Sequence, residues 1–577
     1  MLKLWRFLRP DRWFVLWVLL LTFGQTMSTL YLPTLMANIV DNGVITGHIA
    51  YIVRVGAVML AVTVAGGVAA VFASLYSSYA MAGFGQRIRS RLFHHVGAFT
   101  LREFDQVGPS SLIVRTTNDV MQVQQLVGMI LRMMVMAPLT AIGGIVLAIY
   151  TDAGLTWIVV VSLPLMAAVI AVVMGRGLSL FRAIQTKVDR LNRVLRESLT
   201  GVRVIRAFNR AGSEVERFRS ANRDLTDTSV AVFQLMAIAM PAVMLVMNLS
   251  VVAVMWFGGL QINAGTLQIG QLMAFIQYMM QIMFAVMMVS MMMFMIPRGQ
   301  ASALRINEVL DMDTDITDPP NGARAPRDAE RGAVTFERVT FSYPGAEEPA
   351  LSDISFTARA GETTAIIGGT GAGKSTLVNL IPRFYDATGG RVLVGGRDVR
   401  AWTQEALRAE MGYVPSRAVL FSGSVADNIR YGDLAADDHA VRRAAATAQA
   451  TEFIDQLPDG FDTVINQGGA NLSGGQRQRL AIARALARRA PIYLLDDCFS
   501  ALDYHTDAQL RQALHREVHD ATVIIVAQRV STVRDADQII VLDDGRLAGS
   551  GRHADLMQSS AVYREIVASQ LSPEESA

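Results

Sequence analysis

The stretch Gly368-Gly369-Thr370-Gly371-Ala372-Gly373-Lys374-Ser375 follows the pattern G-x-x-x-x-G-K-[ST], and Leu472-Ser473-Gly474-Gly475-Gln476 lies downstream of it. In such a loop the glycines let backbone N–H groups surround a polyphosphate, while Lys374 reaches the β- and γ-phosphates. The Ser375 hydroxyl ligates Mg²⁺. Ser375 and Thr376 open a helix whose N-terminus favours anionic phosphate. The loop alone predicts only that the chain binds a nucleotide.

The composition divides the chain into two unlike halves. At 577 residues it is too long for one domain, and 52% hydrophobic with 18% charged residues is apolar for a soluble protein. The long apolar runs fall within residues 13–300, whereas residues 301–577 have the pattern of a soluble α/β domain. The net charge of +2 comes without a basic, aromatic-rich block, so no nucleic-acid partner is expected.

Six apolar stretches are long enough to cross a bilayer, since a helical span needs about 20 residues. They lie near 14–38, 53–79, 122–149, 155–176, 232–258 and 268–296. The first is not expected to be a cleaved signal peptide, because it is too long and lacks a small-x-small cleavage site.

The distribution of basic residues predicts the orientation. Segments 39–50, 150–154 and 259–267 contain no Lys or Arg, whereas the loops after spans two and four are long and rich in arginine. Basic residues also precede the first span: Lys3, Arg6, Arg9 and Arg12. Because positively charged loops stay inside, both termini of this multi-pass membrane protein are expected in the cytoplasm.

The pentapeptide, followed by Arg477-Gln478-Arg479-Leu480, resembles the signature of ATP-binding-cassette (ABC) proteins. Ile492-Tyr493-Leu494-Leu495-Asp496 resembles the family's Walker B strand, and Ser500-Ala501-Leu502-Asp503 its D-loop. The resemblance implies that Tyr343 stacks on adenine and that Asp496 holds Mg²⁺ through water. It also implies that Ser473, Gly475 and Gln476 contact ATP bound to a different subunit.

The long cytoplasmic loops resemble those of ABC exporters. Residues 80–120 and 178–228 are expected to form helical extensions that end in short coupling helices. The resemblance rests on Phe104-Asp105, Arg115-Thr116-Thr117-Asn118-Asp119 and Gly201-Val202-Arg203-Val204-Ile205-Arg206-Ala207-Phe208. The expected fold is therefore an all-α six-helix transmembrane domain over 1–312, a linker over 313–332 and an α/β P-loop nucleotide-binding domain over 333–577.

Three positions depart from the family's hydrolysing pattern. Asp497 replaces the Glu that polarises the attacking water, and Gln528 replaces a His that contacts the γ-phosphate. Ser416 stands where a Gln is expected. Losing such groups lowers turnover, since single groups contribute about 10²–10³-fold. With the loop and signature intact, the chain resembles the degenerate-site half of a heterodimeric exporter, which hydrolyses ATP mainly at its partner's site.

The spans hold no Asp or Glu in their central portions, which argues against an ion-coupled transporter and favours a hydrophobic or amphiphilic substrate. Methionines concentrate on spans five and six, where they suit either ordinary packing or a surface that repacks around varied ligands. Two alternatives stay open, an exporter-fold importer of a siderophore-like compound and a nucleotide-binding regulatory membrane protein. The sequence does not identify the substrate or the partner.

Overall fold

The computed structural model describes residues 2–324 and 330–570. They form two compact units, one of residues up to Ala98 with Val107–Met312, the other of Phe99–Gln106 with the residues from Asp313 on. Within the expected linker, 325–329 lie outside the described residues, as do 571–577 of the expected nucleotide-binding domain.

The membrane half contains six helices that are long and apolar enough to cross a bilayer, as the sequence predicted. They extend well beyond the apolar stretches, because polar residues continue each helix past the predicted membrane boundary. The helices are α1 Arg12–Ile39, α2 Ile49–Gly97, α3 Leu101–Val107, α4 Pro109–Val114, α5 Val120–Thr151, α6 Thr156–Thr200, α7 Val202–Ala207, α8 Ala211–Asn263 and α9 Ile269–Leu310. A 3₁₀-helix over Leu2–Asp11 precedes α1, and wider π-type turns occupy Val40–Val44 and Arg115–Asp119.

Helix α9 packs closely against α5 through a small residue. A Cβ on Gly144 would lie 2.8 Å from Ile282 Cγ1, so the two helices approach through a glycine, as is common between membrane helices. Of the methionines on α9, Met279 and Met283 are buried in this core, whereas Met280 is partly exposed.

An ion pair between a buried carboxylate and a half-exposed arginine joins the π-type turn to the end of α9. Arg305 Nε donates a 2.7 Å hydrogen bond to Asp119 Oδ2, and its Nη2 pairs with the other carboxylate oxygen. The Asp119 side chain is only 3% exposed, whereas that of Arg305 is 47% exposed. Arg115 adds a 2.8 Å ion pair to Glu308, so the π-type turn before α5 is held against the end of α9.

The described residues of the second unit form a six-stranded sheet, a four-stranded antiparallel sheet and a two-stranded sheet of β7 and β8. The strands are β1 Val334–Phe341, β2 Leu351–Ala358, β3 Thr363–Gly368, β4 Gly389–Val394, β5 Arg397–Asp398, β6 Met411–Val414, β7 Gly423–Ser424, β8 Val464–Ile465, β9 Ile492–Asp496, β10 Thr522–Val526, β11 Gln538–Asp543 and β12 Arg546–Gly551. The helices are α10 Lys374–Leu380, α11 Gln404–Ala409, α12 Val425–Arg430, α13 Asp438–Thr447, α14 Thr451–Asp455, α15 Gly474–Ala487, α16 Tyr504–Glu517, α17 Val530–Val533, α18 His553–Ser559 and α19 Ala561–Gln570.

The larger sheet determines where the functional loops meet. Its strand order is β12-β11-β3-β10-β9-β6, and all neighbours are parallel except β11 and β12. The central strands are buried on both faces, as apolar runs in a parallel sheet require. In such sheets ligands bind beyond the carboxyl ends of the strands. Here β3, β9 and β10 deliver the phosphate loop, Asp496 and the segment before Gln528 to one edge.

Residues 99–106 group with the second unit, although the sequence-based division counted them with 1–312. Most of α3 lies in this segment, where Tyr385 Oη donates a 3.3 Å hydrogen bond to Asp105 Oδ2. Burial, followed by the Asp105 charge, raises the pKa of Tyr385 to about 12, so its hydroxyl stays a donor. Arg102 also pairs with Asp315. These long-range contacts explain why residues 99–106 belong to the second unit, which local sequence patterns do not reveal.

Candidate nucleotide-binding site

The phosphate loop requires glycine at positions where the backbone turns or approaches another strand. Gly371 and Gly373 have φ angles of +88° and +91°, in the left-handed region that favours glycine. A Cβ on Gly368 would lie 2.2 Å from Leu542 O, and one on Gly373 would lie 2.8 Å from Ala350 O. Gly369 has open space around it, so the loop leaves its concave side accessible.

Lys374 is held at the centre of this loop. Its Nζ donates hydrogen bonds of 2.8 Å to Gly368 O and 2.6 Å to Gly369 O. Burial lowers the pKa of this ammonium group, while the charges of Asp497 and Asp496 oppose the shift. The positive charge therefore stands beside the loop's N–H groups, where polyphosphate oxygens would lie.

Ser375 and Asp496, the two residues that the sequence analysis assigns to Mg²⁺, lie in direct contact. Ser375 Oγ donates a 3.0 Å hydrogen bond to Asp496 Oδ1 at the end of β9. Burial raises the pKa of Asp496, the Ser375 bond opposes this, and the neighbouring Asp497 reinforces it. A hydroxyl and a carboxylate are hard oxygen ligands that fit Mg²⁺, which takes its other ligands from water and phosphate. Within the two described ranges, no group of three or more His, Cys, Asp or Glu could hold a metal alone.

Tyr343 presents an aromatic surface beside the loop. Its hydroxyl lies 3.0 Å from Thr376 Oγ1, and its ring meets those of Phe341 and Tyr385 edge to face at 4.9 and 5.6 Å. With 37% of its surface exposed, the ring retains a free face that fits a purine base.

Asp497 and Gln528, two of the three positions that the sequence analysis marks as departures from the hydrolysing pattern, contact each other directly. Gln528 Nε2 donates a 2.9 Å hydrogen bond to Asp497 Oδ2. Asp497 has a left-handed backbone, φ +48°, and its carbonyl accepts a 2.9 Å hydrogen bond from Ser500 Oγ. Burial is the main cause that raises the pKa of Asp497, while Ser500, Lys374 and Gln528 act in the opposite direction.

Gln570, which the sequence did not single out, fixes the backbone around Gln528. Its Nε2 donates 2.8 Å to Gln528 O, and its Oε1 accepts 2.9 Å from Val530 N. One side-chain amide thus satisfies both a carbonyl and an N–H of the switch segment, defined here as Gln528–Val530. No local motif marks Gln570, because the contact joins the last described helix to a loop far from it in sequence.

Ser416 is exposed at the position where Gln was expected, beyond the end of β6. Its neighbour Pro415 is tied to α15 instead, because the buried Gln478 donates a 3.4 Å hydrogen bond to Pro415 O. Ser416 itself is thus a surface residue in this structure.

The signature begins α15 with a reciprocal cap. Ser473 N donates 2.8 Å to Gln476 Oε1, and Gln476 N donates 3.2 Å to Ser473 Oγ, which is a capping box. A Cβ on Gly475 would lie 3.3 Å from Ala501 O, so the helix start is close against the predicted D-loop. Among the described residues, no hydrogen bond or ion pair joins Ser473 or Gln476 to the phosphate loop.

Comparison with known proteins agrees with this architecture. Residues 15–286 match the ABC transporter transmembrane region, and residues 351–500 match the ABC transporter model. An uncharacterized ABC transporter ATP-binding protein of Mycobacterium tuberculosis is 46% identical over 566 residues, 98% of this chain and 97% of the relative. An ATP-dependent lipid A-core flippase of Chromobacterium violaceum is 34% identical over 543 residues, 93% of this chain and 91% of the flippase.

A solved structure shows the same fold over nearly the whole chain. It is a bacterial Atm1-family ABC exporter with ATP bound, which superposes with a TM-score of 0.78 at 26% identity and covers 98% of this chain and 99% of that one. The chain therefore belongs to the ABC transporter family. It is an exporter-type half-transporter, with six membrane-spanning helices before one ATP-binding domain.

Proposed function

We propose that this chain is one half of a heterodimeric ABC exporter whose own Walker-side site binds Mg-ATP but hydrolyses it slowly. The observation that carries the proposal is the hydrogen bond between Gln528 and Asp497. Both residues are atypical for a hydrolysing site, and each occupies part of the other's hydrogen-bonding capacity. The hydrogen bond directs Asp497 Oδ2 and Gln528 Nε2 toward each other, which leaves fewer groups to hold a water molecule for attack on a γ-phosphate.

The chemistry of the two side chains supports low turnover. Asp497 is one methylene shorter than Glu, and its Oδ2 already accepts a hydrogen bond from Gln528. A glutamine amide cannot carry a proton or a positive charge, so Gln528 cannot supply the charge of a protonated His. Because phosphoryl transfer depends on positioning water and stabilising charge, losing both groups lowers the rate by about a thousandfold or more.

Nucleotide binding is expected to survive these changes. Lys374 and the loop N–H groups would hold the phosphates, Ser375 and Asp496 would hold Mg²⁺, and Tyr343 would stack on the base. When bound, the metal ion neutralises phosphate charge. None of these groups is altered relative to the family pattern.

The intact signature implies a different partner. Ser473, Gly475 and Gln476 keep the family sequence and a well-formed helix start, which is what a neighbouring subunit's ATP requires. We infer that the partner is a second, different half-transporter that supplies Glu and His at the positions of Asp497 and Gln528. Hydrolysis at that competent site then depends on this chain's signature.

The proposed substrate is a hydrophobic or amphiphilic molecule taken from the bilayer. Support comes from the absence of acidic residues in the centres of the spans and from the relative named a lipid A-core flippase. The basic loops favour cytoplasmic termini in a bacterial inner membrane, with transport by alternating access. The two alternatives, a siderophore-like importer and a regulatory nucleotide-binding protein, differ from this proposal in direction and in transport itself.

Transport by the co-purified pair in inside-out vesicles separates these functions. The probes are a fluorescent tail-labelled phospholipid, an amphiphilic dye and an iron-loaded siderophore, each with and without Mg-ATP. ATP-dependent accumulation or translocation of the lipid or dye into the vesicles supports export. ATP-dependent loss of preloaded siderophore from the vesicles would instead support import. Tight ATP binding with no movement of any probe would support the regulatory alternative.

A further inference from the structure

The helix before α1 carries its basic residues in a single row. Leu2–Asp11 is a 3₁₀-helix, in which three residues complete a turn and side chains at i and i+3 eclipse. Lys3, Arg6 and Arg9 therefore lie one above another, and Arg12 at the start of α1 continues the spacing. All four are exposed. This set, Lys3-Arg6-Arg9-Arg12, is called the basic row below.

The buried residues of this helix all lie on its other two sides. Leu4 and Leu8 are 1% and 5% exposed, and Asp11 is buried as well. Leu4, Leu8 and Asp11 are not in register with the basic residues, which repeat every third position. The basic row therefore points away from the membrane helices against which these buried residues pack. Runs of 3₁₀-helix this long are uncommon, so the alignment is a specific feature of this segment.

An arginine on α2 fixes the direction in which the row points. Arg87 Nε donates a 2.8 Å hydrogen bond to Phe7 O, and its guanidinium pairs with the buried carboxylate of Asp11. A Cβ on Gly83 would lie 3.2 Å from Asp11 Oδ2, so the segment is also in close contact with α2. The basic row is thereby part of a fixed surface.

Most of the row's charge is not neutralised by the protein. Lys3 forms a 2.7 Å ion pair with Asp311. Arg6, Arg9 and Arg12 have no ion-pair partner within residues 2–324 and 330–570. The Arg12 guanidinium lies over the Trp13 ring at 5.9 Å, and Arg9, Pro10, Arg12 and Trp13 line an open cavity of about 580 Å³.

Aromatic residues next to the row place it at a membrane surface. Trp13 and Trp17, one turn apart on α1, are 64% and 51% exposed, although they stand at the start of a membrane-spanning helix. Exposed tryptophans at this position are typical of the layer where lipid headgroups lie. Unneutralised guanidiniums in the same layer attract anionic lipids and can donate two hydrogen bonds to one phosphate.

We propose that the basic row binds the phosphate groups of anionic phospholipids at the cytoplasmic leaflet. The occupant is a lipid because the charges, the open cavity and the exposed tryptophans coincide at the end of a membrane span. The assignment to the cytoplasmic leaflet rests on the proposed orientation of the chain. The proposed binding of anionic lipid does not. The proposed lipid binding depends neither on a second half-transporter nor on ATP turnover.

Lipid retention by the purified full chain tests the binding directly. The chain is equilibrated in detergent micelles with equal amounts of phosphatidylglycerol and phosphatidylcholine, and bound lipid is counted by native mass spectrometry. The variant R6Q/R9Q/R12Q should bind phosphatidylglycerol at least about tenfold more weakly, since each basic residue near an anionic surface adds to the attraction. The variant R6K/R9K/R12K keeps the charge and should retain most of the binding.

A matched variant controls for the loss of charge alone. R443Q/R488Q/R516Q removes three exposed arginines from the nucleotide-binding half and should retain phosphatidylglycerol as the unmodified chain does. Binding should also weaken at 1 M salt, where the Debye length falls to about 3 Å. Equal loss in both glutamine triples, or no loss in R6Q/R9Q/R12Q, would overturn the proposal. So would full displacement of the lipid by millimolar glycerol phosphate, which would identify a site for free phosphate instead.

Discussion

Gln528 and Asp497 are joined by a 2.9 Å hydrogen bond from Nε2 to Oδ2, at the point where β9 and β10 end side by side. Residue 497 follows β9 directly, and residue 528 lies two positions beyond β10, so the sheet itself brings them together. The two departures from the hydrolysing pattern are thus one interacting pair. Replacing only Asp497 or only Gln528 would leave the other residue with a mismatched hydrogen-bond partner. We therefore expect that both residues must be changed together to restore hydrolysis.

The double change D497E/Q528H is expected to return hydrolysis to this site. Glu brings the carboxylate one methylene farther into the site, and His restores a group that can carry positive charge near a γ-phosphate. We expect turnover to rise by at least about tenfold, which is less than the full 10²–10³ of an intact group because the surrounding residues also differ. The measurement is ATPase activity of the pair after the partner's catalytic Glu is changed to Gln.

Each single change serves as the control for that experiment. D497E alone and Q528H alone should each recover much less than the double variant, because each keeps one mismatched partner. Additive recovery from the two single changes would contradict a coupled pair.

Substitutions in the phosphate loop and in the signature of this chain are expected to have unequal effects on the ATPase activity of the proposed heterodimer. K374A removes the ammonium that holds loop carbonyls at 2.8 and 2.6 Å, and it should weaken ATP binding here while the partner's site continues to turn over. S473A and G475A alter the signature, and each should lower total turnover by about tenfold or more. ATPase rates and nucleotide binding measured on the same preparations distinguish the two outcomes.

The chain offers a matched control for S473A. Ser424 forms an equivalent capping box at the start of α12, with a 3.0 Å hydrogen bond from Asp427 N. S424A should destabilise its helix by about 1 kcal/mol, as S473A does, without reducing turnover. Equal loss of activity from K374A and S473A would contradict the assignment of roles.

Gln570 is expected to act as a positioning residue for the switch segment. Q570A removes two hydrogen bonds, to Gln528 O and from Val530 N, each with a net value of about 1 kcal/mol. In the D497E/Q528H background it should lower kcat by roughly tenfold and leave ATP affinity nearly unchanged. Q558A, on the exposed side of α18, is the control and should change neither. A fall in affinity that accounts for the whole effect would indicate a merely structural role.

The ion pair between Arg305 and the buried carboxylate of Asp119 is expected to stabilise the helical unit. R305A leaves a carboxylate that is 3% exposed without its charged partner, at a cost of roughly 1–3 kcal/mol. R190A breaks a 2.9 Å pair with Asp224 whose side chains are 60% and 45% exposed, and it should cost less than about 1 kcal/mol. Retention of monodisperse protein after heating compares the two. A smaller loss for R305A than for R190A would refute this prediction.

Local patterns predicted much of this molecule. The six spans follow from apolar runs of sufficient length, and the loop around Lys374 follows from glycines whose φ angles the structure now gives. What local patterns could not show are contacts between residues distant in sequence. Gln570 meets the switch segment, Arg305 meets Asp119, and Tyr385 meets Asp105 only because the chain folds. Residues that bind the nucleotide can thus be recognised from local motifs, whereas the residues that hold them in place can be recognised only from tertiary contacts.

We propose above that this chain's own nucleotide site binds ATP without hydrolysing it efficiently. The most direct measurement is Mg-ATP turnover of the chain purified without any other half-transporter, with nucleotide binding measured on the same sample. We predict saturable ATP binding that is lost in K374A, together with turnover near background. Robust turnover that K374A and D496N both abolish would contradict the account, because it would show that two copies of this chain form a competent site with Asp497 and Gln528 in place.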